Sequence, residues 1–250
     1  MKTIKVNKPR FIYGNILKKE MLENMRDFSY DFMGCLYGDL SDGIVSGFKP
    51  VPGEDFKENP RLKISSGIVK HKSDIFLIPE VDKLDCESAI GKKMAIKLIL
   101  GDKSEDEDWE TLEVKIAISE PNVAYEGAEF ELGRFSLQSK DELKTDYNTL
   151  NDFETINFYN VVNAKYAGYG TESTLSPAIT KTFAKSVLSK AKKPTSQLMS
   201  KVGLFLNNRT VEKNLLVHFI RSEAGVTQIS DTASNEDLFK ELKSLEQRLK

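Results

Sequence analysis

The chain has 250 residues, 40% of them hydrophobic and 30% charged, with a formal net charge of −2. That length can bury the core of one large domain or two small ones, and the composition excludes disorder throughout. Near-neutral charge removes the global excess of Lys and Arg by which a nucleic-acid protein meets phosphate.

The N-terminus, Met1-Lys2-Thr3-Ile4-Lys5, continues as Val6-Asn7-Lys8-Pro9-Arg10 and not as the apolar stretch of a secretion signal. Apolar runs such as Ile75-Phe76-Leu77-Ile78 are far too short to cross a membrane. The expectation is a soluble chain made in a bacterial cytoplasm. Its two cysteines, Cys35 and Cys86, stand far apart and outside any CxxC pair, which reads as buried free thiols in a reduced cytosol.

Phe11-Ile12-Tyr13 reads as a short extended piece closed by the Gly14-Asn15 turn signal. From Lys18 to Phe32, the residues Met21, Leu22, Met25, Phe28 and Phe32 recur at spacings of three and four, which predicts an amphipathic helix. Ile44 to Leu137 reads as β. Short strands are expected at 44–48, 62–64, 68–71 and 75–78, and 94–99 and 112–119 alternate as a hairpin around the polar loop Gly101–Glu110. Further short strands follow around Gly133. Residues 141–174 yield no assignment, beyond a possible strand at Phe158–Val162 and a mobile-looking Gly168-Tyr169-Gly170.

After Ser176-Pro177, a good helix start, the period changes to that of helices. Four follow: Ile179 to Leu188, a second capped by Thr195, a third through Val211 to Phe219 broken by Gly225, and Asn235–Leu249. The fold class is therefore α+β. A helix precedes an antiparallel β-sandwich-like domain over residues 1–175, and an α-helical bundle occupies 176–250.

No motif for a reaction appears. His71 and His218 are the only histidines, and neither has a metal-ligating or triad companion nearby in sequence. The acidic run Glu105-Asp106-Glu107-Asp108 lacks the spacing of a calcium loop and reads as a solvated hairpin tip. Lys181, Lys185, Lys190, Lys192, Lys193 and Lys201 offer a basic face, for nucleic acid or for an acidic neighbour, including the acidic tip of another copy. Leu238, Leu242, Leu245 and Leu249 follow a heptad-like spacing that suits either bundle packing or self-association. No catalytic residue, metal site or cofactor is assigned, although an enzyme with two carboxylates brought together on a β-sandwich leaves no mark in sequence.

Two segments carry a resemblance. Gly43-Ile44-Val45-Ser46-Gly47-Phe48, followed by Leu62-Lys63-Ile64-Ser65-Ser66-Gly67-Ile68-Val69, resembles a glycine-bounded pattern near the start of many phage tail-fibre and baseplate proteins. The wider order is similar to the type VI secretion baseplate adaptor, a β-rich shoulder like that of siphophage receptor-binding proteins followed by a helical neck. Tyr13-Gly14-Asn15-Ile16-Leu17 and Glu131-Leu132-Gly133-Arg134-Phe135 sit where that family has comparable segments. Lys19-Glu20-Met21-Leu22 stands in place of its Pro-Gln-His-Phe stretch, and no length is left for its terminal head domain.

The resemblance implies a non-enzymatic structural protein of a phage tail, tailocin or related contractile injection system. It would form an oligomer, a trimer first of all, assembled into the virion or particle baseplate as an adaptor to a receptor-binding fibre. Its partners would be other baseplate or tail-fibre proteins, with no nucleic acid and no membrane span. Phe11, Tyr13, Phe28 and Phe32 near one end, with Leu242, Leu245 and Leu249 at the other, are the expected interface anchors.

Overall fold

The computed structural model describes residues 8–121, 128–138, 142–190, 195–224 and 229–249. Helix α1 (Lys19–Tyr37) comes first, five residues longer at its C-terminal end than the spacing of apolar residues predicts. Among the described residues nine strands follow in chain order: β1 (Gly43–Gly47), β2 (Pro50–Pro52), β3 (Arg61–Ile64), β4 (Gly67–His71), β5 (Asp74–Ile78), β6 (Val81–Asp85), β7 (Met94–Glu105), β8 (Glu110–Ser119) and β9 (Glu129–Phe135). They pair as three antiparallel three-stranded sheets, ordered β1-β4-β5, β2-β3-β6 and β8-β7-β9. Two of the strands, β2 and β6, have no sequence signal: one holds two prolines and the other alternates too weakly to read.

The glycines of the recurring pattern have a local cause. Gly47 takes φ +82°, and a Cβ there would come within 2.2 Å of the Ser66 carbonyl oxygen. Phe48 follows in the left-handed region at φ 56° and lays its ring on Gly67, where a Cβ would meet it at 2.5 Å. The three residues form one joint between β1 and β4.

Residues 142–174 are irregular apart from a 3-10 helix at Leu150–Glu154. Phe158–Val162 is not a strand; its backbone makes isolated bridges, Arg134 with Asn160 and Lys144 with Phe158. Gly168 is held, because its N–H donates to Ser41 Oγ at 3.1 Å and its carbonyl accepts from Ser41 N–H at 2.8 Å. Backbone polar groups that leave a ladder must find partners elsewhere, and here they find them across the molecule.

The C-terminal helices are α2 (Pro177–Lys190), α3 (Ser196–Asn207), α4 (Lys213–Ala224) and α5 (Asn235–Leu249). Thr195 caps α3 as predicted, its Oγ1 accepting from Leu198 N–H at 3.1 Å. Gly225, Lys192 and Lys193 lie outside the described residues. Phe183, Phe205 and Phe219, one each from α2, α3 and α4, meet with centroids 4.9–6.2 Å apart. Residue 175 marks a change of secondary structure, yet one buried apolar cluster runs across it from Ile44 through Leu98, Leu150 and Phe183 to Leu245. Asn235 Nδ2 donates to the Ala164 carbonyl at 3.0 Å, and Lys243 pairs with Glu154, binding α5 to the irregular segment.

Candidate protein-interaction surface

Helix α1 leaves most of its apolar residues outside the core. At 100° per residue Met21, Leu22, Met25, Phe28, Phe32 and Leu36 fall within about 120° of one another, a width suited to burial. Yet no residue of the helix is buried, with Phe28 66% and Phe32 54% exposed. The Phe28 and Phe32 rings stack with centroids 6.1 Å apart, in solvent. Upstream, Phe11, Ile12, Tyr13, Ile16 and Leu17 are exposed as well, where Asn15 N–H closes the Gly14 turn on the Ile12 carbonyl at 3.0 Å.

The helix is attached at its C-terminal end. Tyr37 packs on Leu40, Val45 and Ala167, and Arg209 donates to its hydroxyl at 3.3 Å with the guanidinium over its ring. Lys18 precedes the helix without a side-chain cap. Helices in water draw most of their stability from packing an apolar face, so this one has a face awaiting a cover.

The structure separates the expected anchors. Phe11, Tyr13, Phe28 and Phe32 are exposed. Leu242 and Leu245 are 0% and 1% exposed within the chain's own core, and Leu249 packs half-buried against it. The expectation for those leucines is corrected: α5 spends its heptad-like stripe on α2, α4 and the segment around Phe153. Spacing alone cannot tell an internal partner from an external one.

His71 and Asp42 line a cleft of about 660 Å³ between β9, the irregular segment and the start of α5. His71 Nδ1 lies 3.3 Å from Asp42 Oδ2 but off the line of a hydrogen bond, and its ring stands edge-on to Phe130. Three carboxylates reach the cleft, each with its own donor. Asp42 accepts from Lys72 N–H at 2.7 Å, Glu129 lies 3.6 Å from Lys97, and Glu172 pairs with Lys213. Arg134 beside the cleft holds buried Glu131 by two bonds, at 2.7 and 2.9 Å. With its amide oxygen turned toward that guanidinium, Asn163 accepts at 3.0 Å.

Among the described residues, no group of three His, Cys, Asp or Glu is placed to hold a metal ion, and no helix is long and apolar enough to cross a membrane. Asp106 in the acidic run accepts from the Asp108 and Trp109 N–H groups at 2.8 and 2.7 Å. The aromatic rings of α2–α4 that might have stacked on nucleic-acid bases are buried. Cys86 is buried as expected, and burial pushes its thiol up to about 12, with Asp85 adding to it; the expectation is corrected for Cys35, which is exposed because the rest of the chain does not cover α1.

No family model matches the chain, and no curated protein matches it. Among solved structures it is similar to the crystal structure of TssK, at 6% identity over 98% of this chain and 72% of that one, with a TM-score of 0.46. It is also similar to chains in the type VI secretion TssK-TssF-TssG baseplate subcomplex (10% identity, 98% and 99% covered, TM-score 0.38) and in the type VI secretion baseplate complex (12% identity, 98% and 99% covered, TM-score 0.37).

Proposed function

We propose that this chain is a structural, non-enzymatic component of the baseplate of a contractile phage tail, a tailocin or a related injection machine. It works as an oligomeric adaptor, a trimer in the simplest arrangement, between the baseplate and a receptor-binding fibre. The observation that supports this is α1: an aromatic and aliphatic stripe on a helix with no buried residue, attached by one end to a β-rich body. Large apolar faces left on a folded chain mark sites where another protein packs. The order of helix, sheets and helical bundle agrees with the family that the Gly43–Phe48 and Leu62–Val69 segments resemble.

The test is particle fractionation from the organism that encodes the chain. The wild-type chain is expected to co-sediment with tail-like particles, and Phe28→Ser/Phe32→Ser is expected to be made and folded yet to remain in the unassembled fraction. Cys35 supplies a second readout: it reacts with a thiol reagent in the free chain and is shielded in the particle, while Cys86 reacts in neither. A chain that never enters particles overturns the reading, as does a double variant that assembles normally.

A further inference from the structure

The β7–β8 hairpin leaves the body of the molecule. β7 is buried from Met94 to Ile96 and on through Leu98, where it is the central strand of its sheet, but every residue from Gly101 to Thr111 is exposed. Between Leu100 and Lys103 the register shifts, with Gly101 and Asp102 set against Glu113 alone, and such a bulge bends a ribbon away from its sheet. The projecting part is on the order of 15 Å long at 3.3 Å per residue. It is braced at its base, where Lys103 bonds Asp74 at 2.7 Å and lies over the Phe76 ring. Its end is fixed by the Asp106 carboxylate and by Asp106 N–H donating to the Trp109 carbonyl at 3.0 Å.

Trp109 sits there 72% exposed, the only tryptophan of the chain. Around it are Asp102, Glu105, Asp106, Glu107, Asp108 and Glu110, against a single lysine. A two-stranded ribbon gains nothing for the core by carrying its largest apolar side chain at the tip. Tryptophan is, however, a side chain that dominates interfaces when seated in a partner's slot.

The complementary surface is on the same chain. Ala178, Lys181, Lys185 and Leu188 share the outer face of α2 at helical spacing, and neither lysine has an ion pair among the described residues. Ala178 and Leu188 are half-buried against the core and leave an apolar edge beside the two lysines. We infer that the Trp109 ribbon of one copy docks on the outer face of α2 in another, the indole on the edge left by Ala178 and Leu188 and the carboxylates against Lys181 and Lys185. Tip and seat are different surfaces, so each copy offers one of each to its neighbours. This rests on the oligomeric adaptor reading above and supplies its self-contact, separate from α1.

The test uses the full chain and its single tryptophan. As concentration rises, the Trp109 emission is expected to move to shorter wavelength in step with the mass seen by light scattering. Trp109→Ala is expected to weaken self-association about thirtyfold or more, the loss typical of an interface hot spot. Glu107→Lys/Asp108→Lys and Lys181→Glu/Lys185→Glu should each weaken it, and the two sets combined should restore it. An oligomer whose formation leaves the emission unchanged overturns the inference, as does one indifferent to the charge reversals, and in both cases the adaptor reading still stands on particle fractionation. A chain that stays monomeric at every concentration, with unshifted emission, also overturns the inference.

Discussion

At the scale of single residues, the contact of Arg134 with Glu131 is costly to disturb. Glu131 is 3% exposed, and its charge is tolerable there only because the guanidinium meets both carboxylate oxygens. Removing one partner of such a pair typically costs about 3–5 kcal/mol, since the other charge stays buried. Arg134→Ala should therefore lower the urea midpoint strongly, and Arg134→Lys should recover only part, because an ammonium cannot make the paired bonds. Equal stability of Arg134→Ala and wild type would mean that water reaches Glu131. Glu131 and Arg134 stand three apart in the segment singled out for its likeness to baseplate adaptors, but their pairing was not legible there. In a regular strand residues three apart point to opposite faces; β9 permits the contact by a register shift opposite Ile96 and Lys97.

At the scale of elements, α5 shows how a short sequence signal becomes a stable end. Ser234 Oγ accepts from Asp237 N–H at 3.1 Å, and the Asp237 carboxylate takes the Ser234 N–H at 3.1 Å and its hydroxyl at 2.6 Å. Those bonds, the hydroxyl first, with a contribution from Lys240, hold the Asp237 carboxyl below the usual carboxylate range. A lowered folded value means the stability is fully present above the unfolded value near 3.9 and is lost as pH falls through the folded one. Asp237→Ala should thus lower the stability at pH 7, and the difference from wild type should shrink as the pH drops below about 4. A difference independent of pH would assign the effect to something other than the carboxylate. The start of α5 at Asn235 was readable because caps are local; the partner of its leucines was not.

At the scale of the whole molecule, sheets and helices share one buried cluster, and the irregular segment is the seam between them. Leu150 and Phe153 of that segment are fully buried, and Phe153 stands edge-on to Phe239 of α5 with centroids 6.0 Å apart. A charge placed in α5 should therefore be felt by the whole fold. Leu245→Asp, at a position 1% exposed, is expected to unfold helices and sheets in one transition or to prevent accumulation of soluble chain. Two separate melting transitions, with the β region intact, would show the cluster to be divisible.

The sequence by itself determined the order of helix, strands and helices, the β7–β8 hairpin, the cap of α3 and the extent of α5. Each rests on a repeat or a bond within a few residues, which the chain carries wherever it is placed. Only the tertiary structure decided that Leu242 and Leu245 face inward while Phe28 and Phe32 face out. Two helices with equally good apolar stripes differ only in whether the rest of the chain comes back to cover them, and that is a matter of long-range packing. The same holds for residues 142–174, which are tied to the rest of the fold by hydrogen bonds with Ser41, Ile44 and Asn235, partners too distant in the chain for any local pattern to announce.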